Sequence, residues 1–379
     1  MNNLVGVYGG TFDPTTYGHW QSIKKACAIF DRLYIVVATA EGKAPMFDKI
    51  KRADLLSSTI PEDYLREDGQ TPQIVIKLLP EGVYLATYAK RLGANFLVRG
   101  IRDEFDFHYE HQIYQTNRHI EPSVETIYLM PDKDMSLVSS SWVKGLVGHY
   151  GWRQAIKPFV SETTLTSLAL IYAKKRFVNI NKHWLFGLTN NSQSLDKVWE
   201  DLFIDGMNKH SYHNVYHILD CLEAMDLYWG QDPVMEYAIW KHDVVPSVDE
   251  SASIASVSLR YAEGSVKDMV VRLINATKHD KCKYETVQEE VMVSIDLLPL
   301  GYDPIHYEVY RSQVYAEYKS KSGMKDEDFY KEWVKGRAAF LRGMLSRDFI
   351  YPWEKIRNEF ELQAKTNMGA ELQSLGNKS

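Results

Sequence analysis

Leu4-Val5-Gly6-Val7-Tyr8-Gly9-Gly10-Thr11-Phe12-Asp13-Pro14-Thr15-Thr16-Tyr17-Gly18-His19 decides the reading of this chain. Leu4–Tyr8 is a short apolar run that stops at two glycines, the pattern of a strand ending in a tight turn. Glycine lets backbone approach a ligand closely. A helix predicted over His19–Phe30 then offers unpaired N–H groups and its positive dipole end to an anion in the turn. His19, near that helix start, is placed to donate a hydrogen bond to a phosphoryl oxygen as charge builds on it.

Outward from this turn the first half alternates. Leu33–Ala38 is a continuous apolar run, as expected of a strand buried on both faces. Further strands are predicted over 73–78, 96–99 and 125–130, and helices over 48–59, 83–92, 104–119 and 140–147. This order implies an α/β Rossmann-like domain: a parallel sheet, right-handed crossovers, and a ligand beyond the C-terminal strand ends. The glycine turn and the pair Arg99 and Arg102 both fall at such ends. From about Asn181 strand-like runs nearly vanish. Helical apolar spacing takes over at 214–228, 266–278, 285–298, 304–320 and 328–346, which reads as an all-α domain. The expected division is 1–176, then 182–370, then a polar tail at 371–379, with the boundary in Lys174–Lys182.

The 379 residues suit two or three domains of about 150 residues. A formal net charge of -6 argues against a nonspecific nucleic-acid binder. Neither a membrane-spanning run nor a signal peptide is apparent, and Cys27, Cys221 and Cys282 form no CxxC pair. A reducing, cytoplasmic setting is expected.

Gly10-Thr11-Phe12-Asp13-Pro14 followed by Thr16-Tyr17-Gly18-His19 resembles the T/HxGH signature of nucleotidyltransferases. Arg99-Gly100-Ile101-Arg102, Asp106-Phe107-His108-Tyr109-Glu110, Asn117-Arg118 and Ser139-Ser140-Ser141-Trp142-Val143-Lys144 then follow in the order found in phosphopantetheine adenylyltransferases. The resemblance covers roughly residues 3–175. It implies adenylyl transfer from ATP, accompanied by Mg²⁺, to 4′-phosphopantetheine, giving dephospho-coenzyme A and pyrophosphate. It also implies a homo-oligomer. By the same resemblance His19, Lys43 and Arg99 are catalytic, and Thr11, Lys43 and Arg99 bind the acceptor phosphate. Thr11, Phe12, His19, Gly100, Arg102, Glu110, Ser139, Ser140 and Ser141 hold ATP. The chemistry agrees: bringing two polyanions together needs fixed cations and N–H dipoles more than a base. His108 stands where the family commonly has Glu, and residues 60–80 match poorly, so another acceptor such as nicotinamide mononucleotide is the alternative.

The helical half holds Tyr212-His213-Asn214-Val215-Tyr216-His217, His242-Asp243, Thr277-Lys278-His279 and Asp296. His213 and His217 share a face if both are helical. Imidazole and carboxylate together suit a divalent metal of intermediate hardness. This order resembles the HD superfamily of metal-dependent phosphohydrolases, over roughly residues 182–369. By that resemblance His217, His242, Asp243 and Asp296 ligate a divalent metal (Mn, Fe, Ni, Co, Zn or Mg), with His213 and His279 in a second tier, for another metal or for substrate phosphate. The alternative is a non-catalytic helical module for oligomerisation or sensing. Lys241 reads as a solvated charge.

Overall fold

The computed structural model describes residues 4–39, 42, 44–65, 73–135, 137–184, 192–204, 210–245, 247–259, 262–279 and 283–376. The first half alternates as β1 (Val5–Gly10), α1 (Tyr17–Cys27), β2 (Arg32–Val37), α2 (Lys49–Ser57), β3 (Gln73–Leu78), α3 (Leu85–Arg91), β4 (Phe96–Gly100), α4 (Glu104–Ile120), β5 (Glu125–Leu129), α5 (Ser140–Leu146) and α6 (Trp152–Ile156). Every pairing is parallel, in the order β3-β2-β1-β4-β5.

Both faces of the sheet are buried. Val7, Val36 and Leu97 pack with Ala86 and Ala89 of α3 on one side. Tyr8, Ile35, Val37 and Val98 pack with Ile23 and Ala26 of α1 and Leu56 of α2 on the other. Neighbouring strand residues therefore both need to be apolar, which is why Leu33–Ala38 reads without alternation. The strand order reverses between β1 and β4, and the crevice beyond their ends is where such sheets take ligands. Gly10 and Gly100 terminate those two strands.

The chain divides into two compact units, Met1–Ala169 and Leu170–Ser379. The division falls inside α7 (Glu162–Trp184), and the expected boundary stretch 174–182 lies within that helix. Leu165, Leu168, Ala169, Ala173, Phe177 and Ile180 are buried at helical spacing, so the lysine-rich stretch continues a helix instead of ending one.

The second unit continues with α8 (Ser192–Trp199), α9 (Val215–Ala224), α10 (Pro233–Lys241), α11 (Val248–Ser258), α12 (Gly264–Ala276), α13 (Val287–Asp296), α14 (Pro304–Ser322), α15 (Asp326–Leu345) and α16 (Glu354–Gly376). No strand occurs among its described residues. The polar tail expected at 371–379 differs from what forms. Residues 371–376 end α16, where the buried Glu371 pairs with Arg337 at 3.0 Å and Leu375 is buried. Asn367 of the same helix donates to the carbonyls of Leu300 (3.0 Å) and Tyr302 (2.7 Å), satisfying a buried turn. No described helix is long and apolar enough to cross a membrane.

Gly301 sits in that turn with no room for a side chain. A Cβ there would lie 2.6 Å from the Tyr351 hydroxyl and 2.7 Å from Phe360 Cβ. Gly301→Ala is expected to lower stability by about 1–3 kcal/mol through overpacking. Urea unfolding followed at the second unit's transition checks this, and an unchanged midpoint would show that α16 packs less tightly there.

Candidate functional site

A cleft of about 700 Å³ opens beyond the ends of β1 and β4. Thr11, Phe12, His19, Arg99, Gly100, Arg102, Glu110, Ser139, Ser140 and Ser141 all line it, so every described residue of the expected nucleotide site is gathered in one place. Lys43 and residues 66–72, on the expected acceptor side, lie outside the described residues.

His19 is held by a reciprocal cap. Thr16 is the N-cap of α1, its hydroxyl accepting from the His19 N–H (3.4 Å), while the Thr16 N–H donates to His19 Nδ1 (3.1 Å). An Nδ1 that accepts carries no proton, so the neutral ring has its proton on Nε2, and Nε2–H is the donor left for a ligand. Burial, reinforced by Arg102, pulls the His19 pKa down to about 4. The imidazole is therefore neutral near pH 7. Phe12, at a φ of 50°, stacks edge-on to the ring at 5.2 Å between centroids.

The sequence suggests a cleft of uncommitted cations, but the structure differs. Arg99 donates from Nε to Glu110 (2.7 Å), from Nη2 to Glu110 (2.5 Å) and from Nη1 to the Gly9 carbonyl (2.7 Å). Arg102 forks onto Asp106 at 2.7 and 3.0 Å. Lys144 meets Asp13 at 2.8 Å. Three cations thus face three carboxylates across the cleft. A guanidinium this deep needs a counter-charge in the protein. Glu110, expected to hold ATP, accepts two hydrogen bonds from Arg99, and with the Gly9 bond these engage three of the guanidinium's five N–H groups.

Asp13 and Lys144 were not singled out from sequence. Burial would raise the Asp13 carboxyl, but Lys144 and the backbone N–H groups of Met46 and Phe47 outweigh it and hold it low. Arg52 was also missed. It is buried, and it bridges the carbonyls of Thr11 (2.6 Å), Ala38 (2.6 Å) and Phe47 (3.1 Å), tying the phosphate turn to the following loop. Ser139 caps α5 by accepting from Trp142, and Ser140 donates to the Pro14 carbonyl at 2.8 Å, so the serine run is also fastened to the turn.

The second cluster lies in the helical unit. His217 of α9, His242 and Asp243 after α10, and Asp296 at the end of α13 place one ligand atom each within 4.8 Å of one another. His242 donates from Nδ1 to the Ile239 carbonyl (2.8 Å), so in the neutral ring Nε2 carries the lone pair, while, against burial, Asp243 and Asp296 beside it favour the protonated ring. That Nε2 and Asp243 Oδ2 are buried 3.0 Å from each other, and neither makes a hydrogen bond. Burial pushes both carboxyls up, and the imidazoles of His242 and His217 outweigh it, holding Asp243 and Asp296 below the usual carboxylate range. His279 Nε2 reaches the other oxygen of Asp296 at 2.9 Å. Cys221, read from sequence as part of no site, has its Sγ 3.8 Å from His217 Nε2.

Two details depart from the sequence reading. His213 does not share a helical face with His217: Asn214 is the N-cap of α9 and leaves His213 outside the helix, their rings 6.0 Å apart. Lys241 is buried beside the rings of Phe177 (5.3 Å) and Tyr237 (5.5 Å), and burial pulls its pKa down to about 8.

A parallel sheet with a glycine turn, a capped histidine and paired arginines at its switch point defines a nucleotidyltransferase in the first unit. Residues 7–145 match the family model described as cytidylyltransferase-like. The phosphopantetheine adenylyltransferase of Chromobacterium violaceum is 34% identical over 170 residues, covering 45% of this chain and 98% of that protein. That of Helicobacter hepaticus is 34% identical over 174 residues, covering 45% of this chain and 96% of its own length. The structure of Plasmodium falciparum nicotinic acid mononucleotide adenylyltransferase complexed with NaAD is 15% identical over 46% of this chain and 96% of that one, with a TM-score of 0.31. Through its N-terminal half the chain belongs to the phosphopantetheine adenylyltransferase family, and that half is an adenylyltransferase.

The His19 environment has a pH signature. The unfolded ring keeps its ordinary value of 6.5 while the folded one lies near 4, so between them only the unfolded chain binds the proton. Stability is expected to fall as pH drops from about 6.5 to about 4 and to level off below. Urea unfolding of the first unit across this range checks it, and His19→Asn should remove that slope; a slope that persists in the variant belongs to another group.

Proposed function

We propose that the first unit joins the adenylyl group of ATP to 4′-phosphopantetheine. An oxygen of the acceptor phosphate attacks the α-phosphorus, the bond to the β-phosphate oxygen breaks, and dephospho-coenzyme A and pyrophosphate leave. The observation that carries this reading is the 98% coverage of a phosphopantetheine adenylyltransferase by this chain, with the expected residues lining one cleft. His19 donates from Nε2 to the α-phosphoryl oxygen, and its neutrality keeps a proton there without a charge that would tighten ground-state binding. Thr11, Lys43 and Arg99 receive the acceptor phosphate. Phe12, Gly100, Arg102, Glu110 and Ser139–Ser141 position ATP, and Glu110 also orients Arg99 toward the acceptor. Mg²⁺ arrives with the triphosphate, held by ATP and water.

Purified full-length protein given ATP and a panel of acceptors, with products read by mass spectrometry, tests the acceptor. Dephospho-coenzyme A is expected. Absence of product with 4′-phosphopantetheine, alongside product with nicotinamide mononucleotide, would reassign it. His19→Ala should lower kcat by about 10²–10³ while ATP affinity changes little. Equal losses in both would remove the transition-state role.

We infer for the second unit a metal-dependent phosphohydrolase of the HD type. His217, His242, Asp243 and Asp296 would hold a divalent ion, and the orphaned, buried Nε2 of His242 and Oδ2 of Asp243 support the fit. A two-nitrogen, two-oxygen set suits Mn, Fe, Co, Ni or Zn, with Mg less favoured. When bound, the ion supplies an activated water and a Lewis acid for a phosphate ester. His279 steadies Asp296, and the Ile239 carbonyl fixes the His242 tautomer. Protein purified without chelator should carry about one equivalent of metal by elemental analysis, and Asp243→Ala should lose it while keeping adenylyl transfer. A metal-free wild type that hydrolyses no phosphate ester with added Mn²⁺ would leave a non-catalytic helical module.

A further inference from the structure

His279 follows α12 with an uncommon backbone conformation. Its φ is 55°, in the left-handed region that a non-glycine residue rarely adopts. Among the described residues only one other non-glycine residue has a positive φ, Phe12 at the nucleotide turn. Such a conformation persists only where the surroundings fix it. Two bonds from distant parts of the chain do so here. The ring Nε2 meets Asp296 Oδ2 at 2.9 Å, and the carbonyl accepts from the guanidinium Nη2 of Arg347, 68 residues further along.

The ring alone is weakly aimed. Burial would raise the Asp296 carboxyl, but the imidazoles of His217, His242 and His279 outweigh it, so the carboxylate only accepts and Nε2–H donates. The Nδ1 of His279 is buried and finds no hydrogen-bond partner among the described residues. One polar contact does not fix the direction of an imidazole, and the backbone that carries it must supply the rest. That backbone is what Arg347 grips. Arg347 is itself anchored: its N–H donates to the carbonyl of the buried Met344 (3.2 Å), in the last turn of α15.

What this steadies is Asp296. With Oδ2 taken by His279, Oδ1 is the oxygen that faces His217 Nε2 (3.1 Å) and His242 Nε2 (3.4 Å) inside the four-residue cluster. A carboxylate released by His279 is free to rotate and to take Oδ1 out of that set.

We propose that Arg347 is a positioning residue for the metal centre of the second unit. By holding the His279 carbonyl it keeps the ring on Asp296, and so keeps Asp296 Oδ1 among the ligand atoms. Arg347 touches neither the ion nor a substrate. The inference rests on the metal reading of the cluster and adds to it a residue outside the histidine and aspartate segments.

The test uses the full chain titrated with Co²⁺, whose visible absorption bands report its coordination. Wild type should bind about one equivalent. Arg347→Met keeps the apolar stem and loses the donors; it should weaken Co²⁺ by about tenfold and alter the bands. Arg347→Lys, which keeps a charged donor, should recover part of that loss. His279→Ala should weaken Co²⁺ at least as much, and adding Arg347→Met to His279→Ala should cost nothing more. Arg347→Gln, shorter by two bonds, repeats the comparison where Arg347→Met does not fold. Circular dichroism and adenylyl transfer report folding of the two units and should hold throughout. Wild-type affinity and bands in the Arg347 variants overturn the proposal. Additive losses from Arg347→Met and His279→Ala overturn it as well, because Arg347 then acts by another route. A folded wild type that binds no Co²⁺ overturns the metal reading, and the positioning role with it.

Discussion

Charge cannot be taken out of water without compensation, and both sites are organised around that constraint. In the first unit, Arg99 lies at the end of a buried strand and is tolerated because Glu110, on the following helix, meets it with two hydrogen bonds. In the second, Asp243 and Asp296 share one pocket only because His217 and His242 stand between them. The first solution closes on itself. The second leaves His242 Nε2 and Asp243 Oδ2 in contact but without a hydrogen bond, and in this the two clusters differ.

Local chemistry does more than shape the backbone here. The cap of α1 is an ordinary helix start in which the third helical residue returns a bond to the N-cap. Because that residue is His19 and not a glutamate, the same bond selects the tautomer of a ring in the cleft. Helix initiation and proton placement meet at one residue: the Thr16 hydroxyl caps the helix and its backbone N–H fixes the ring. Arg52 plays a comparable part with neutral oxygens, locking the carbonyls of Thr11 and Ala38 so that the turn keeps its form without a ligand.

Much of this was legible in sequence, for identifiable reasons. The strands of the first unit are short, apolar and bounded by glycine, and their ends carry the residues of the motif. The four-residue cluster His217, His242, Asp243 and Asp296 was legible because each sits in a recognisable short segment. What escaped notice has a common cause: it depends on pairings across distance. Arg99 and Glu110 each stand out, but nothing in their spacing says that one neutralises the other. Glu317 lies in a helix read only for its apolar spacing, and only the fold brings it to His213. The lysine-rich stretch 174–182 reads as polar until Phe177 and Ile180 are seen to continue a buried stripe.

The paired cations of the first cleft also bear on which solutes can occupy it. An anion with a single charged group gains little by competing with Asp106 or Asp13 for partners already at hydrogen-bond distance. A triphosphate, touching several of these groups at once, can rearrange them together. The Arg102 and Lys144 side of the cleft is thereby held against chloride and stray phosphate by its own carboxylates, and yields to molecules that bring many oxygens in one piece.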